Sequence, residues 1–450
     1  MLQRHNTPAG NNSVRIYART FLLLLALLAF PFRDALRAED EHEDSSPLSF
    51  TLRARGEAEW IDLRDSRLNP ENVLGRYDNR YEGFLLGTID YKGVDGYFSG
   101  EFRAGYEYLS GEMHEGTSFD DNEATLEINQ LYYRTAARNI EVLLGRKKVR
   151  WGVGYAYSPT DLVTRQKNPE DPADRLSKVR GADLVGVSRL SESSQLDVLY
   201  FPELNWDFED DFVTMNRFGM RWYRFVDPFD LSLVGSVNDD GDWTAGVNTS
   251  FTVGTSLELH AEYAYTSYNP RNDFLNRLDP DHPLYAYPAG PDDGVHDILI
   301  GGQYTFENNL NLVVEYMYRG GGYESDQLDS YIEAAGLWMN SGALSTSEMA
   351  GIVNGADQDA LNAAAPLRSN YLFAGIFHPE VIRSVSLDLY SYLGLEDGSG
   401  FIVVMPTYKQ SDSIDIYLRL KQFWGDSDTE FGLVPDDFSC VAGISWFLGS

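Results

Sequence analysis

The 450-residue chain has a single cysteine, Cys440, so no internal disulfide can staple it and stability must come from hydrogen bonding and packing. It is also poor in basic residues, with 36 lysines and arginines against 69 aspartates and glutamates and a net charge of −33. A phosphate backbone demands a basic surface, so nucleic acid is excluded as a partner. No stretch has the roughly 20 consecutive apolar residues needed to cross a bilayer as a helix. The seven histidines fall in no His-Glu-x-x-His or other zinc spacing, and neither a Gly-x-Ser-x-Gly elbow nor a phosphate-cradling glycine loop is present. No catalytic residue, metal ligand or cofactor is therefore assigned, and an enzyme is unsupported.

The longest apolar run, Phe21 to Phe32, is about half a spanning helix. It follows Arg15 and Arg19 and precedes Ala38 and an acidic stretch beginning at Glu39, which is the charged, apolar, small-residue order of a secretory signal. Residues 1–38 are expected to be a signal peptide and 39–48 a periplasmic segment. The leader holds five arginines and one aspartate, so its removal leaves a net charge of −37.

What is abundant is aromatic and glycine: 28 tyrosines, 24 phenylalanines and 40 glycines spread along the chain, a profile of strands rather than helices. From Ser49 the pattern has period two. Phe50, Leu52, Ala54, Gly56, Ala58 and Trp60 share one face; Thr51, Arg53, Arg55, Glu57 and Glu59 share the other. A second case sets Phe98, Gly100, Phe102, Ala104, Tyr106 and Tyr108 against Ser99, Glu101, Arg103 and Glu107. About eighteen such segments follow one another (sixteen is possible), many near the 9 to 11 residues that a tilted strand needs to cross a membrane. Their connections alternate between tight links, such as Gly93, Asp227 and Gly254, and long ones near 61–80, 109–122, 151–180, 202–213, 267–295, 320–368 and 424–439. Short turns at one end and long loops at the other describe an all-β, transmembrane, antiparallel up-and-down barrel over 49–450, with 151–180, 267–295 and 320–368 as long extracellular loops and both ends periplasmic.

If one face meets lipid, the charged alternates point into the lumen, because Arg or Lys on the lipid face at the midplane costs roughly 2–4 kcal/mol. That assigns Arg53, Arg55, Glu57, Glu59, Glu101, Arg103, Glu107, Arg217, Arg221, Glu258, His260, Glu262, Glu315, Arg319, Asp388, Asp415, Arg419 and Lys421 to a charged pore lining. Any pair among them can equally serve to hold neighbouring strands together. Between Arg146 and Arg180 nine basic residues face four acidic ones, a local charge of +5. Arg146, Lys148, Arg150, Arg165 and Lys167 are candidates for an anion-concentrating constriction if this proline- and aromatic-containing loop folds inward. The plainer reading is an exposed loop that neutralises acidic neighbours. Asn238-Asp239-Asp240-Gly241-Asp242 could bind calcium, but Asp-Gly is the usual way to close a hairpin. The segment from Gln327 to Pro366 is helix-like and fits a plug, a cap or a contact surface equally well.

The last segment, Val441-Ala442-Gly443-Ile444-Ser445-Trp446-Phe447, resembles the terminal strand by which outer-membrane proteins are recognised for insertion, which implies the barrel-insertion machinery as a partner. The stretch Leu144-Gly145-Arg146-Lys147-Lys148-Val149-Arg150-Trp151-Gly152 resembles large bacterial porins, the alginate-export type among them, in which a strand ends in a Gly-Arg-basic run followed by Trp-Gly. The resemblance implies an eighteen-stranded barrel in the bacterial outer membrane, in contact with lipid and lipopolysaccharide. It would pass small hydrophilic or anionic solutes, or export an anionic polysaccharide. A barrel enzyme acting on lipid or glycan, and a plugged structural or adhesive barrel, are the alternatives.

Overall fold

A computed structural model describes residues 47–67, 69, 72, 75–94, 96–113, 116–163, 178–202, 216–269, 294–325, 328–329 and 367–449. The first strands are β1 (Leu48–Leu63), β2 (Asn79–Lys92), β3 (Tyr97–Met113), β4 (Thr117–Ala137), β5 (Ile140–Lys147) and β6 (Ala182–Leu190). Then come β7 (Ser194–Phe201), β8 (Arg217–Val226), β9 (Phe229–Asn238), β10 (Trp243–Val253), β11 (Leu257–Thr266) and β12 (Val295–Thr305). The last six are β13 (Asn311–Arg319), β14 (Asn370–Ile382), β15 (Val385–Gly394), β16 (Gly400–Lys409), β17 (Ile414–Trp424) and β18 (Asp436–Gly449).

Each strand pairs with its chain neighbours, and β1 pairs with both β2 and β18, so the sheet closes on itself. At the seam Thr51 faces Gly449 and Ile61 faces Ser439, antiparallel like every other junction with a defined register. Where the strands overlap, closure leaves none of them with a free edge, which lets backbone polar groups be satisfied without water. The connections at one end are tight. Arg138, Asn309 and Ser384 take positive φ there, and Asp227–Pro228 is a cis bond. At the other end the Asp-Gly turn closes β9 onto β10: Asn238 Oδ1 accepts from Asp242 N at 2.8 Å, and Gly241 sits at φ 91°.

Alternation sets the two faces of the wall. Leu85, Leu144, Val185, Val198, Met220, Leu233, Ile300 and Ile444 point outward and are exposed, while the residue before each is buried. Aromatic side chains flank this apolar band, Phe50, Phe225, Phe229 and Phe447 toward the tight-turn end and Trp60, Tyr81, Tyr106 and Trp243 toward the other. A continuous apolar band between aromatic girdles is the surface of a barrel that sits in hydrocarbon.

The interior departs from a uniformly charged lumen. On β12–β17 the inward row is apolar: Leu299, Met317, Tyr371, Phe373, Tyr390, Tyr392, Phe401, Val403 and Phe423 form one buried cluster with Ala156, Tyr157, Phe431 and Val434. Its rings lie in direct register, Phe373 opposite Tyr392 and Tyr392 opposite Phe401, with Tyr392 stacked on Phe401 at 5.7 Å. These strands are largely apolar on both faces, with Glu315, Arg319 and Arg419 among the few inward charges, so one side of the barrel is filled.

Two connections also differ from the sequence pattern. The expected long link at 109–122 is instead strand, because β3 and β4 stay paired out to Met113–Thr117 and turn beyond it. Helical geometry begins at Ser325, and most of the helix-like stretch to Pro366 lies outside the described residues. So do the leader, Arg165 and Lys167, and most of 267–295.

Candidate functional site

After β5 the chain leaves the wall and turns into the barrel. Trp151 and Val163 are buried against Leu143, Leu184, Leu199, Phe201 and Val234 on β5–β9. The stretch between them is seated on β10–β14 by two buried carboxylates. Glu262 on β11 accepts from the backbone amides of Val153 (2.6 Å), Gly154 (2.5 Å) and Thr160 (2.9 Å). It also accepts from the hydroxyls of Ser158 (2.9 Å) and Thr160 (2.6 Å). Glu315 on β13 accepts from the amides of Tyr155 and Ala156 and meets His260 Nε2 at 2.9 Å. Four successive amides, 153 to 156, thus point at two carboxylates, a backbone nest with the anion supplied by the barrel wall. Asn248 on β10 donates to Trp151 O (3.0 Å) and Thr160 Oγ1 (2.7 Å), and Tyr157 donates to Asp297 on β12 at 3.0 Å.

Glycine makes the tight path feasible. A Cβ on Gly152 would lie 1.5 Å from Ser158 Oγ, and one on Gly154 would lie 1.8 Å from Tyr157 O. The Trp-Gly of the sequence is therefore the point where the chain folds on itself. Tyr155 leaves the segment to pack on Phe373 (5.5 Å) and Phe377 (5.2 Å), joining the inward stretch to the apolar half.

The charged wall belongs mainly to β1–β4, since β5–β9 turn Leu143, Leu184, Leu199, Phe201 and Val234 against the inward segment. Arg80 is its hub, within 2.9 Å of Glu59, 3.4 Å of Glu82, 3.5 Å of Glu57 and 3.4 Å of Glu107. Arg103 bridges Glu82 (2.6 Å) and Glu127 (3.1 Å), and Lys178 reaches Glu82 at 2.7 Å. Arg53, Arg55 and Arg103 converge on the ring of Phe84 at 5.5, 5.9 and 4.9 Å. Arg55 also pairs with Glu57, and Tyr417 donates to Glu57 at 2.6 Å. Such cross-strand pairs stiffen a wall and leave it polar.

The sequence-derived residues fall into three groups. Arg53, Arg55, Glu57, Glu59, Glu101, Arg103, Glu107 and Arg221 lie in the charged wall, where Arg221 pairs with Asp197 at 2.8 Å and Glu101 with Lys148 at 2.5 Å. Arg419 lies 4.0 Å from Glu57, Asp415 faces Lys409 across β16–β17, and Asp388 lies between Phe377 and Met405. The second group supports rather than lines. Glu262 and Glu315, only 2% and 0% exposed, are the anchors of the inward segment, and Arg319 lies over Tyr157 at 5.5 Å. Arg217 similarly covers Phe201 and Lys421 covers Phe423. The third group is the basic island expected to form an anion constriction, of which Arg146, Lys148 and Arg150 are described. Arg146 is 3% exposed and bonds Asp183 at both oxygens (3.0 and 2.6 Å), so its charge is consumed in the wall. Lys148 and Lys178 are likewise matched by Glu101 and Glu82, and Arg150 folds onto Gly154 O.

Arg80, Glu82, Asp183 and Asn248 escaped the sequence reading. Arg80-x-Glu82 does alternate with Tyr81, Gly83 and Leu85, so the first two were legible by starting β2 two residues earlier. Asn248 and Asp183 carry no such signal.

Above the apolar half the loops are locked together. Glu430 accepts from Tyr371 and from the amides of Leu367 (2.7 Å) and Arg368 (3.3 Å), while Asp397 accepts from Arg368 (2.7 Å) and from the amide of Glu430 (2.9 Å). Burial raises the Glu430 carboxyl to about 7, whereas Asp397, although partly buried, is held below the usual carboxylate range by hydrogen bonds from Glu430 and Ser399 and by Arg368.

These features define the fold class as a closed, eighteen-stranded antiparallel barrel with an inward-folded segment. Among solved structures it is similar to Pseudomonas aeruginosa OccK5 (OpdH), with a TM-score of 0.51 and 10% identity over 90% of this chain and 98% of that one. A mutant of the Rhodopseudomonas blastica porin aligns over 89% of this chain and all of that one, with a TM-score of 0.44 and 10% identity. At such identity the first likeness speaks to the fold alone. No protein-family model matches the chain, and no curated protein is similar to it.

Proposed function

We propose that the chain is an outer-membrane channel through which small hydrophilic solutes pass passively along the charged wall of β1–β4. One observation carries this reading: the inward segment is bolted by Glu262 and Glu315 to the half of the barrel already packed with aromatic side chains, so the polar face opposite is the surface left to meet water. An eighteen-stranded barrel is wide enough for an aqueous path. Arginines and glutamates alternate along that face and pair with each other, which suits small solutes of either charge better than an anionic polysaccharide, whose export favours a basic lumen.

The same reading places the chain in the bacterial outer membrane with its tight turns and both ends in the periplasm, delivered by the leader and inserted through the terminal strand. An enzymatic reading has less support, since His260 and Ser158 are both buried and occupied in seating the inward segment.

Planar-bilayer recording of the refolded protein tests the proposal. Discrete open steps with weak ion preference are expected; a correctly folded barrel that never conducts would overturn it.

A further inference from the structure

We infer that the outward half of β4 is a strand-addition site for an extended, lysine- or arginine-bearing peptide segment of a partner protein. β4 has 21 residues and β3 has 17, against the 9 to 11 that cross hydrocarbon, so their paired ends stand clear of the membrane opposite the tight turns. On its far side β4 meets β5 only from Leu131 to Ala137. Beyond that corner the neighbouring chain turns inward, and the last contacts it leaves are Gly181 N to Asn129 O and Arg146 Nη1 to Ile128 O.

From Thr117 to Glu127, therefore, β4 is bonded to β3 on one side and to no strand on the other, among the described residues. Most of this stretch is exposed. A row of unpaired amides and carbonyls this long is normally shortened, bulged, covered, or guarded by proline or lysine. Among the described residues no strand, proline or lysine covers this row before the bulge at Asn129; its guard is the acidic trio Asp120, Asp121 and Glu123, which repels a like-charged edge and admits a basic one.

The charges select the occupant. A second copy of the same edge would set carboxylates against carboxylates, which destabilises cross-strand pairs, whereas a strand with basic residues at alternate positions places opposite charges side by side. Main-chain bonds then supply affinity and the alternating side chains supply specificity. This site stands on the outer ribbon and is independent of conduction through the barrel.

The test uses the full refolded chain in detergent micelles and three labelled peptides: alternating lysine and valine, alternating glutamate and valine, and the lysine–valine peptide with two central prolines. Fluorescence anisotropy should show binding of the first alone, with slowed hydrogen exchange confined to 117–127. D120N/D121N/E123Q, all exposed, should bind it about tenfold more weakly while keeping its strand content and conductance. Equal binding of the proline-bearing peptide would reduce the effect to charge and overturn strand addition. Binding without protection of 117–127 would place the site elsewhere. Protection of 117–127 by self-association, without peptide, would make a second copy the occupant and overturn the inference.

Discussion

His260 on β11 reaches Glu315 on β13 across the intervening strand, Nε2 to Oε1 at 2.9 Å, through the space left by Gly301. A Cβ on Gly301 would lie 2.6 Å from both Glu315 Cγ and His260 Nε2, so no other residue leaves this bond intact. Gly301→Val is expected to push Glu315 off the amides of Tyr155 and Ala156 and to destabilise the barrel by about 2 kcal/mol, the usual cost of overpacking. Urea unfolding measures the loss. Wild-type stability, together with unaltered single-channel noise, would contradict this account of the glycine.

Glu262 is the more heavily used anchor, accepting from three amides and two hydroxyls. Its replacement by alanine strands those donors, at a cost on the order of 3 kcal/mol, since each buried polar group left without a partner costs 1–3 kcal/mol. Glu262→Ala should therefore unfold at lower urea and, where it folds, show larger and less uniform conductance as the inward segment loosens. Glu262→Gln keeps the shape and one acceptor oxygen, so it should fall between the two.

Arg103 and Arg146 should separate cleanly in a selectivity measurement. Arg103 is buried too, but one of its partners, Glu127, has a partly exposed side chain, so Arg103→Gln frees a carboxylate that meets water and should move the reversal potential under a salt gradient towards that of cations. Arg146 is buried with Asp183, and Arg146→Gln should leave selectivity alone while costing about 3 kcal/mol of stability, because breaking a buried pair leaves an uncompensated charge. The opposite assignment of effects would restore Arg146 as a constriction residue.

The outer lock should respond to pH through Glu430. Its carboxyl sits at about 7 when folded against 4.5 ordinarily, so the folded loops bind the proton more tightly than the unfolded chain does. The contribution is fully present below 4.5 and is lost as pH rises through about 7. Neighbouring Asp397 is shifted the other way, so its contribution is lost only as pH falls through its own depressed value. Between pH 5 and 8, protease cleavage within 425–435 should accelerate in the native protein, and Glu430→Gln should flatten that dependence. A wild-type profile with no slope across this window would discard the assignment.

How much of this was legible in the sequence depends on which face was being read. Period-two alternation at Phe50–Trp60 and Phe98–Tyr108 located strands and told lumen from lipid, because only one face was apolar there. On β14–β16 the same rule failed, since Tyr371, Phe373, Tyr390, Tyr392 and Phe401 are as apolar as the lipid-facing residues between them. Glu262 and Glu315 were assigned to a solvent-filled pore, whereas the structure engages them with backbone amides. A carboxylate that binds backbone amides looks the same in sequence as one that binds water, and only the return of Val153–Thr160 beneath them distinguishes the two. The charge island at 146–180 was real, but its counter-ions Asp183, Glu101 and Glu82 lie on strands to either side, where a sum along the sequence does not find them.

The seam between β1 and β18 governs the order of events in assembly. Thr51 must find Gly449, and Arg55 must find Ser445, across almost the whole length of the described chain. Until it does, two complete strand edges and the apolar outer faces remain open to wrong partners. Loss of either terminal strand therefore opens two edges at once, and the wall is complete only when the two ends of the barrel have met.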